Sequence, residues 1–159
     1  MLSIFKDKKA LVALGKALQA QNYRPQSLET FLRAAVLDPS DAEPIYLAGM
    51  LYADTGKLPE ATRQFERVLK INPRYPRTHV ALGQMALRSG EAKKALEEAM
   101  KERETNPNLA DSFILAAESY YALKQYSNCA AEYQQATRQI RSAAIMVRMA
   151  RCYRMSGAL

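Results

Sequence analysis

A chain of 159 residues with 48% apolar and 25% charged residues has the composition of an ordinary soluble domain, which argues against a disordered or fibrous chain. No apolar run approaches a membrane span, and Met1 to Lys9 holds too short an apolar segment for a signal peptide. The formal charge of +7 is uneven: Lys6, Lys8, Lys9 and Lys16 oppose only Asp7 at the start, and from Tyr133 onward there are five arginines and no acid.

Helix formers dominate and Val, Ile and Thr are sparse, so an all-α chain is expected. The first helix spans about 4–21 and carries Leu14, Gly15 and Leu18. Pro25 opens the second, about 25–37, at a position where a missing N–H does no harm. The third, about 42–54, has Pro44 just inside its start, and Gly56 follows its end as a left-handed stop. Pro59 opens the fourth, about 59–70, and Pro76 the fifth, about 76–88, which Gly90 closes. The sixth, about 92–105, carries Glu97, Glu98, Glu102 and Glu104 among Lys93, Lys94, Lys101 and Arg103, and reads as an exposed helix laced with ion pairs. The seventh, eighth and ninth span about 110–122, 126–141 and 144–156.

Gly15, Gly49 and Gly83 lie 34 residues apart. Ser27, Ala61, Ala95 and Cys129 keep the same period, as do Phe31, Phe65, Ala99 and Tyr133, and Pro39, Pro73 and Pro107. Several series in one register mean that one supersecondary unit is repeated. The unit beginning at Ala42 is the clearest, with Ala48, Gly49, Tyr52, Gly56, Ala61, Phe65 and Pro73. With these residues the chain resembles the tetratricopeptide repeat family over nearly its whole length. It departs from the pattern in lacking Trp, in Ala99 for the aromatic, and in Ala117, Cys129 and Arg141 for Gly, Ala and Pro.

The resemblance implies a right-handed superhelical solenoid of antiparallel helix pairs. Four repeats, about 8–41, 42–75, 76–109 and 110–143, would form a single domain with a partial fifth at 144–159. The ninth helix is apolar on more than one face, through Ile145, Met146, Val147, Met149, Ala150, Tyr153 and Met155. Terminal repeats need a polar outer face. The expectation is therefore a fragment of a longer array, or self-association through this helix.

The family's first helices line a concave groove that holds a partner peptide or amphipathic helix. Carried over by register, the groove residues are Lys16, Tyr46, Leu47, Met50, Arg77, Val80, Gln84, Ile114, Leu115, Glu118, Tyr121 and Arg148, with Met149 and Cys152 beside the last. An apolar stripe of this kind marks a partner site, although Val80 and Ile114 equally suit packing between helices. The chaperone-binding carboxylate clamp of the family is not matched, because Val12, Lys16, Leu47, Arg77 and Ala81 keep only one of its charges in place. The function implied is a protein-interaction scaffold or adaptor. The alternatives are a basic surface for nucleic acid or anionic membrane, which the scarcity of aromatics among the arginines disfavours, and a spacer in a larger assembly.

No metal-ligand, phosphate-loop or nucleophile–base pattern is present, so no enzyme and no cofactor are expected. His79 stands where the family has Trp and reads as a packed aromatic substitute. Cys129 and Cys152 lack paired spacing and read as isolated thiols, which suits a reducing, cytoplasmic compartment, with a periplasmic or organellar one left open.

Overall fold

A computed structural model describes residues 7–157. Among them the chain forms α1 (Lys8–Ala20), α2 (Arg24–Leu37), α3 (Ala42–Asp54), α4 (Leu58–Ile71), α5 (Thr78–Arg88), α6 (Ala92–Thr105), α7 (Ala110–Ala122), α8 (Tyr126–Gln139) and α9 (Ala143–Ser156), with no strand. The predicted start of the first helix at residues 4–6, Lys6 included, lies outside the described residues. No helix among them is long and apolar enough to cross a membrane. Two compact units result, divided between Tyr75 and Pro76, at a repeat boundary of the sequence.

In the first unit α1 packs on α2, α2 on α3, and α3 on α4. Its core is made by the periodic positions: Phe31, Phe65, Ala34, Val68, Ile45 and Ala48 are fully buried. In the second unit α5–α6, α6–α7, α7–α8 and α8–α9 pack in turn. The small-residue series Ser27, Ala61, Ala95, Cys129 is 0% exposed at every member, which is why it stays small: each lets one helix approach its neighbour.

The turn from a first helix (α1, α3, α5, α7) to its second helix always uses a left-handed residue. The four are Asn22, Gly56, Gly90 and Lys124, with φ of 64°, 78°, 81° and 61°. Sequence reading finds only the two glycines; Asn22 and Lys124 occupy the same register without the cue. Lys124 is the strained one, because a β-carbon in this region costs about 1–2 kcal/mol. Lys124→Gly is expected to stabilise the protein by about 0.5–1 kcal/mol, part of the relief being offset by the looser unfolded chain. Gly56→Ala has open space around the new methyl but inherits the strain, so it should move the urea midpoint the opposite way.

Two boundaries differ from expectation. The helix expected from residue 76 starts at Thr78, because Arg77 is left-handed (φ 64°) and Pro76 falls before it rather than inside it. The eighth ends at Gln139, leaving Ile140 extended and Arg141 outside the helix. The sixth helix is not an exposed charged helix either. Glu102 is 0% and Glu98 6% exposed, and Arg103 reaches Glu132 of α8 while lying over the Phe113 ring.

The first helices begin on unlike caps. Asp7 accepts from the N–H groups of Lys9 and Ala10, and Asp41 from that of Glu43. The next residue in that register is Tyr75, which cannot accept in this way. Glu102, arriving from α6, does so instead: its carboxylate accepts from the backbone N–H of Arg77 (3.0 Å), His79 (3.1 Å) and Val80 (3.4 Å). Asn106 Nδ2 donates to the same carboxylate at 2.6 Å. His79 is likewise more than a packed ring, since its Nδ1 lies 2.7 Å from Glu98. Burial alone would raise the Glu98 carboxyl, but hydrogen bonds from His79 and Lys101 outweigh it and hold the group below its ordinary range.

Cys129 and Cys152 are not free thiols. They form a disulfide between α8 and α9 across a Cα–Cα distance of 5.9 Å. Cys152 is 1% exposed.

Candidate functional site

Each unit carries its own surface of predicted residues. In the first, Lys16 Nζ donates to Glu43 at 2.7 Å, joining α1 to α3 while both side chains stay exposed. A cleft of about 400 Å³ runs beside this pair, lined by Val12 and Ala13 and by the charges of Lys8, Lys9, Lys16, Asp41 and Glu43. Lys8 Nζ lies 2.8 Å from both Asp38 and Asp41. The hydrogen bond from Lys8 draws the Asp38 carboxyl down to about 2 and the ammonium upward in turn.

Tyr46, Leu47 and Met50 are half-buried rather than free on a groove. Tyr46 sits against Phe65 and Tyr75, with ring centroids 5.6 and 5.2 Å away. Leu47 packs against Leu11, Val12 and Ala34 on one side and Phe31 and Leu51 on the other. It joins repeats, and a charge there would attack the core.

In the second unit Arg77, just before α5, is exposed and its Nε lies 3.1 Å from Asp111, while Gln84 is exposed on α5. Val80 and Leu115, expected on the groove, are 5% and 1% exposed and belong to the core with Ala95 and Ala116. The reason is the close approach of α5 and α7: a β-carbon added at Gly83 would lie 2.4 Å from Leu115. Ile114 is half-buried against the cluster of Ala117, Cys129 and Tyr133, with Met149.

The remaining predicted residues come together. Glu118, Tyr121, Tyr133, Arg148, Arg151 and Cys152 line a cleft of about 190 Å³ between α7, α8 and α9. Arg148 Nη1 donates to Glu118 at 2.5 Å. Arg151 lies over the Tyr121 ring at 4.9 Å, and Tyr126 meets that ring edge-on at 5.5 Å. Burial pushes the Glu118 carboxyl up, and Arg148 opposes this only in part. Burial, followed by the charge of Glu118, raises the Tyr133 phenol while Arg148 pulls it back. A partly desolvated carboxylate, two guanidinium groups and two phenols form a recess suited to hydrogen-bonding and ionic capture of a polar chain segment. Sequence reading missed Arg151 and Tyr133 here. Tyr133 was legible only as core, and Arg151 only as one member of a basic run.

Comparison with known proteins agrees with this architecture. Residues 42–75 match the tetratricopeptide repeat family model. Over 66 residues the chain is 38% identical to a Petunia hybrida protein named "Probable UDP-N-acetylglucosamine--peptide N-acetylglucosaminyltransferase SPINDLY", covering 42% of this chain and 7% of that one. The Solanum lycopersicum protein of the same name is 37% identical over 70 residues, covering 44% of this chain and 8% of that one. The chain thus spans under a tenth of these relatives. Among solved structures, MamA from Desulfovibrio magneticus RS-1 superposes with a TM-score of 0.83 at 18% identity, covering 94% of this chain and 85% of that one. TTC0263, a thermophilic repeat protein of Thermus thermophilus, gives 0.81 at 20% identity, covering 95% and 84%. YrrB, described as a repeat protein with an unusual peptide-binding site, gives 0.74 at 20%, covering 96% and 79%. Residues 42–75 are a recognised tetratricopeptide repeat, its register continues through the buried positions of both units, and the fold is the one shared with these structures.

Proposed function

We propose that the chain is a protein-interaction scaffold that holds a peptide or amphipathic helix of a partner against its first helices, with the α7–α8–α9 cleft as the principal recognition point. The observation that carries this reading is the assembly there of Glu118, Tyr121, Tyr133, Arg148 and Arg151 around one recess. Aromatic and arginine side chains in a concave, partly desolvated setting are the residues that contribute most to protein binding. The Lys16–Glu43 cleft of the first unit is a second contact surface, and Met50, two turns along α3 from Glu43, extends it. The peptide-binding description of YrrB supports the same reading.

The test is a pull-down comparing wild type with Met50→Asp and with Arg148→Glu, each confirmed folded by circular dichroism. Both positions are at least partly exposed, so the folds should survive, whereas Leu47 would not tolerate a charge. A partner lost from Arg148→Glu and weakened by Met50→Asp is the expected result. One retained by both variants would reject the reading.

The Cys129–Cys152 disulfide supports an oxidising compartment over the cytoplasmic placement that two free thiols suggest.

A further inference from the structure

We propose that the α7–α8–α9 cleft takes a partner segment bearing an acidic side chain, and that Glu118 is its built-in competitor, holding Arg148 in the free protein and yielding it on binding. This rests on that cleft being the recognition point, and it names the group the cleft reads. Arg148 Nη1 donates to Glu118 at 2.5 Å, from α9 to α7. The two ends of the pair differ in setting: the Glu118 side chain is 33% exposed and that of Arg148 55%. An incoming carboxylate can therefore meet the guanidinium on its open side, in the fork geometry that arginine offers to carboxylates, while Glu118 stays behind in the recess. Among the described residues Glu118 is the only acid lining the recess, against Arg148 and Arg151, so the recess favours a negative partner.

Glu118 itself shows what fits Arg148: a glutamate side chain carried on a helix. Helix packing does not require the acid. One repeat earlier the same register holds Gln84, neutral and exposed, and the repeat before that holds Met50. Burial disfavours the Glu118 charge and pushes its carboxyl up, and Arg148 opposes this only in part. The other groups facing it are Tyr133 from α8, Arg151 from α9 and Tyr121 on its own helix, while Cys152 is held in the disulfide. Among the described residues α6 brings none to the recess, and the register neighbour on α5 is the neutral Gln84. Once Arg148 turns to a partner carboxylate, burial acts without that opposition and Glu118 takes up a proton. Binding of an acidic segment is thus coupled to proton uptake, and affinity rises as pH falls toward the range in which Glu118 titrates. It falls again below about pH 4.5, where the partner's own solvated carboxylates protonate.

The experiment is a selection from a displayed library of random dodecapeptides, run in parallel on wild type and on Arg148→Gln at about pH 6. Peptides recovered by wild type alone are synthesised with both ends capped. Their affinities for wild type and Glu118→Gln are measured by calorimetry from about pH 8 to about pH 5.5, in buffers of different ionisation enthalpy. The Arg148-dependent peptides are expected to be enriched in Asp and Glu, and to lose about tenfold in affinity when the essential acid is changed to its amide. Glu118→Gln should bind them about two- to fivefold more tightly than wild type at the upper pH, the range set by a solvent-accessible ion pair. Wild type should close that gap as pH falls, with proton uptake on binding that Glu118→Gln lacks. His79 is common to both proteins, so the difference between them isolates Glu118. Circular dichroism confirms each fold. Arg148-dependent peptides without acidic bias, or Glu118→Gln binding no more tightly than wild type, would overturn this inference and leave the cleft as the recognition point. Recovery of no peptide that depends on Arg148 would overturn both.

Discussion

Glu102→Ala is expected to destabilise the second unit by about 3–4 kcal/mol, the largest effect of any single substitution proposed for this protein. The carboxylate is fully buried and is the shared acceptor for three backbone N–H groups at the start of α5, besides Asn106. Loss of an ordinary side-chain cap costs about 1 kcal/mol, but that cap is exposed and water replaces it. Here the orphaned donors are partly or fully buried, charge-assisted bonds are lost, and the truncated side chain leaves a void. Glu102→Gln keeps the shape and one good acceptor but turns an amide NH₂ toward donors, so about half the loss is expected. Urea denaturation measures both variants. Asp7→Ala provides the scale, because its cap is exposed and should cost no more than about 1 kcal/mol. A Glu102→Ala midpoint as close to wild type as that of Asp7→Ala would refute the assignment of Glu102 as the cap of α5.

Replacing Cys129 and Cys152 together by alanine, or reducing the disulfide, is expected to remove about 3 kcal/mol. The bond closes a separation of 23 residues, so its loss widens the unfolded ensemble substantially. The folded-state consequence is local. Only Ile145 and Cys152 of α9 are buried, so apart from the disulfide this helix rests on half-buried contacts such as Met149 and Tyr153 and on the Arg148–Glu118 pair. Amide exchange across residues 143–156 should therefore accelerate strongly, while α5 and α6 keep their protection. Dithiothreitol should reproduce the effect in wild type and do nothing further to the double alanine variant. Two alkylatable thiols in the unreduced, denatured protein would show that the bond does not form. Because Arg148 and Arg151 ride on α9, the same treatment should weaken any ligand of the cleft they line.

The repeats themselves were legible, for a physical reason. A 34-residue register puts each buried position at a fixed phase, so Phe31 and Phe65, or Ala61 and Ala95, announce the core without any knowledge of it. The same register could have revealed Glu102, which stands where Ala34, Val68 and Ala136 are all 0% exposed. A charge at an apolar phase is a signal; read by local composition, it vanished into a charged helix. The groove assignments were less secure. Register places a side chain on a first helix, but whether it reaches solvent depends on how near the next helix comes. Gly83 lets α7 come close enough to bury Leu115 and Val80, whereas Lys16, Gln84 and Arg148 stay exposed.

Sequence alone determined the all-helical class, the repeat length, the alternation of first and second helices and most of the core, because those follow from local propensity and periodic burial. The tertiary structure decided whatever depends on residues far apart in the chain. It joined Cys129 to Cys152, sent Glu102 to the end of a helix 22–25 residues behind it, and gathered Glu118, Tyr133 and Arg148 from three helices into one recess. No spacing encodes those contacts, since each arises from the angle and distance at which two helices pack, and that is set by the summed shapes of all the side chains between them.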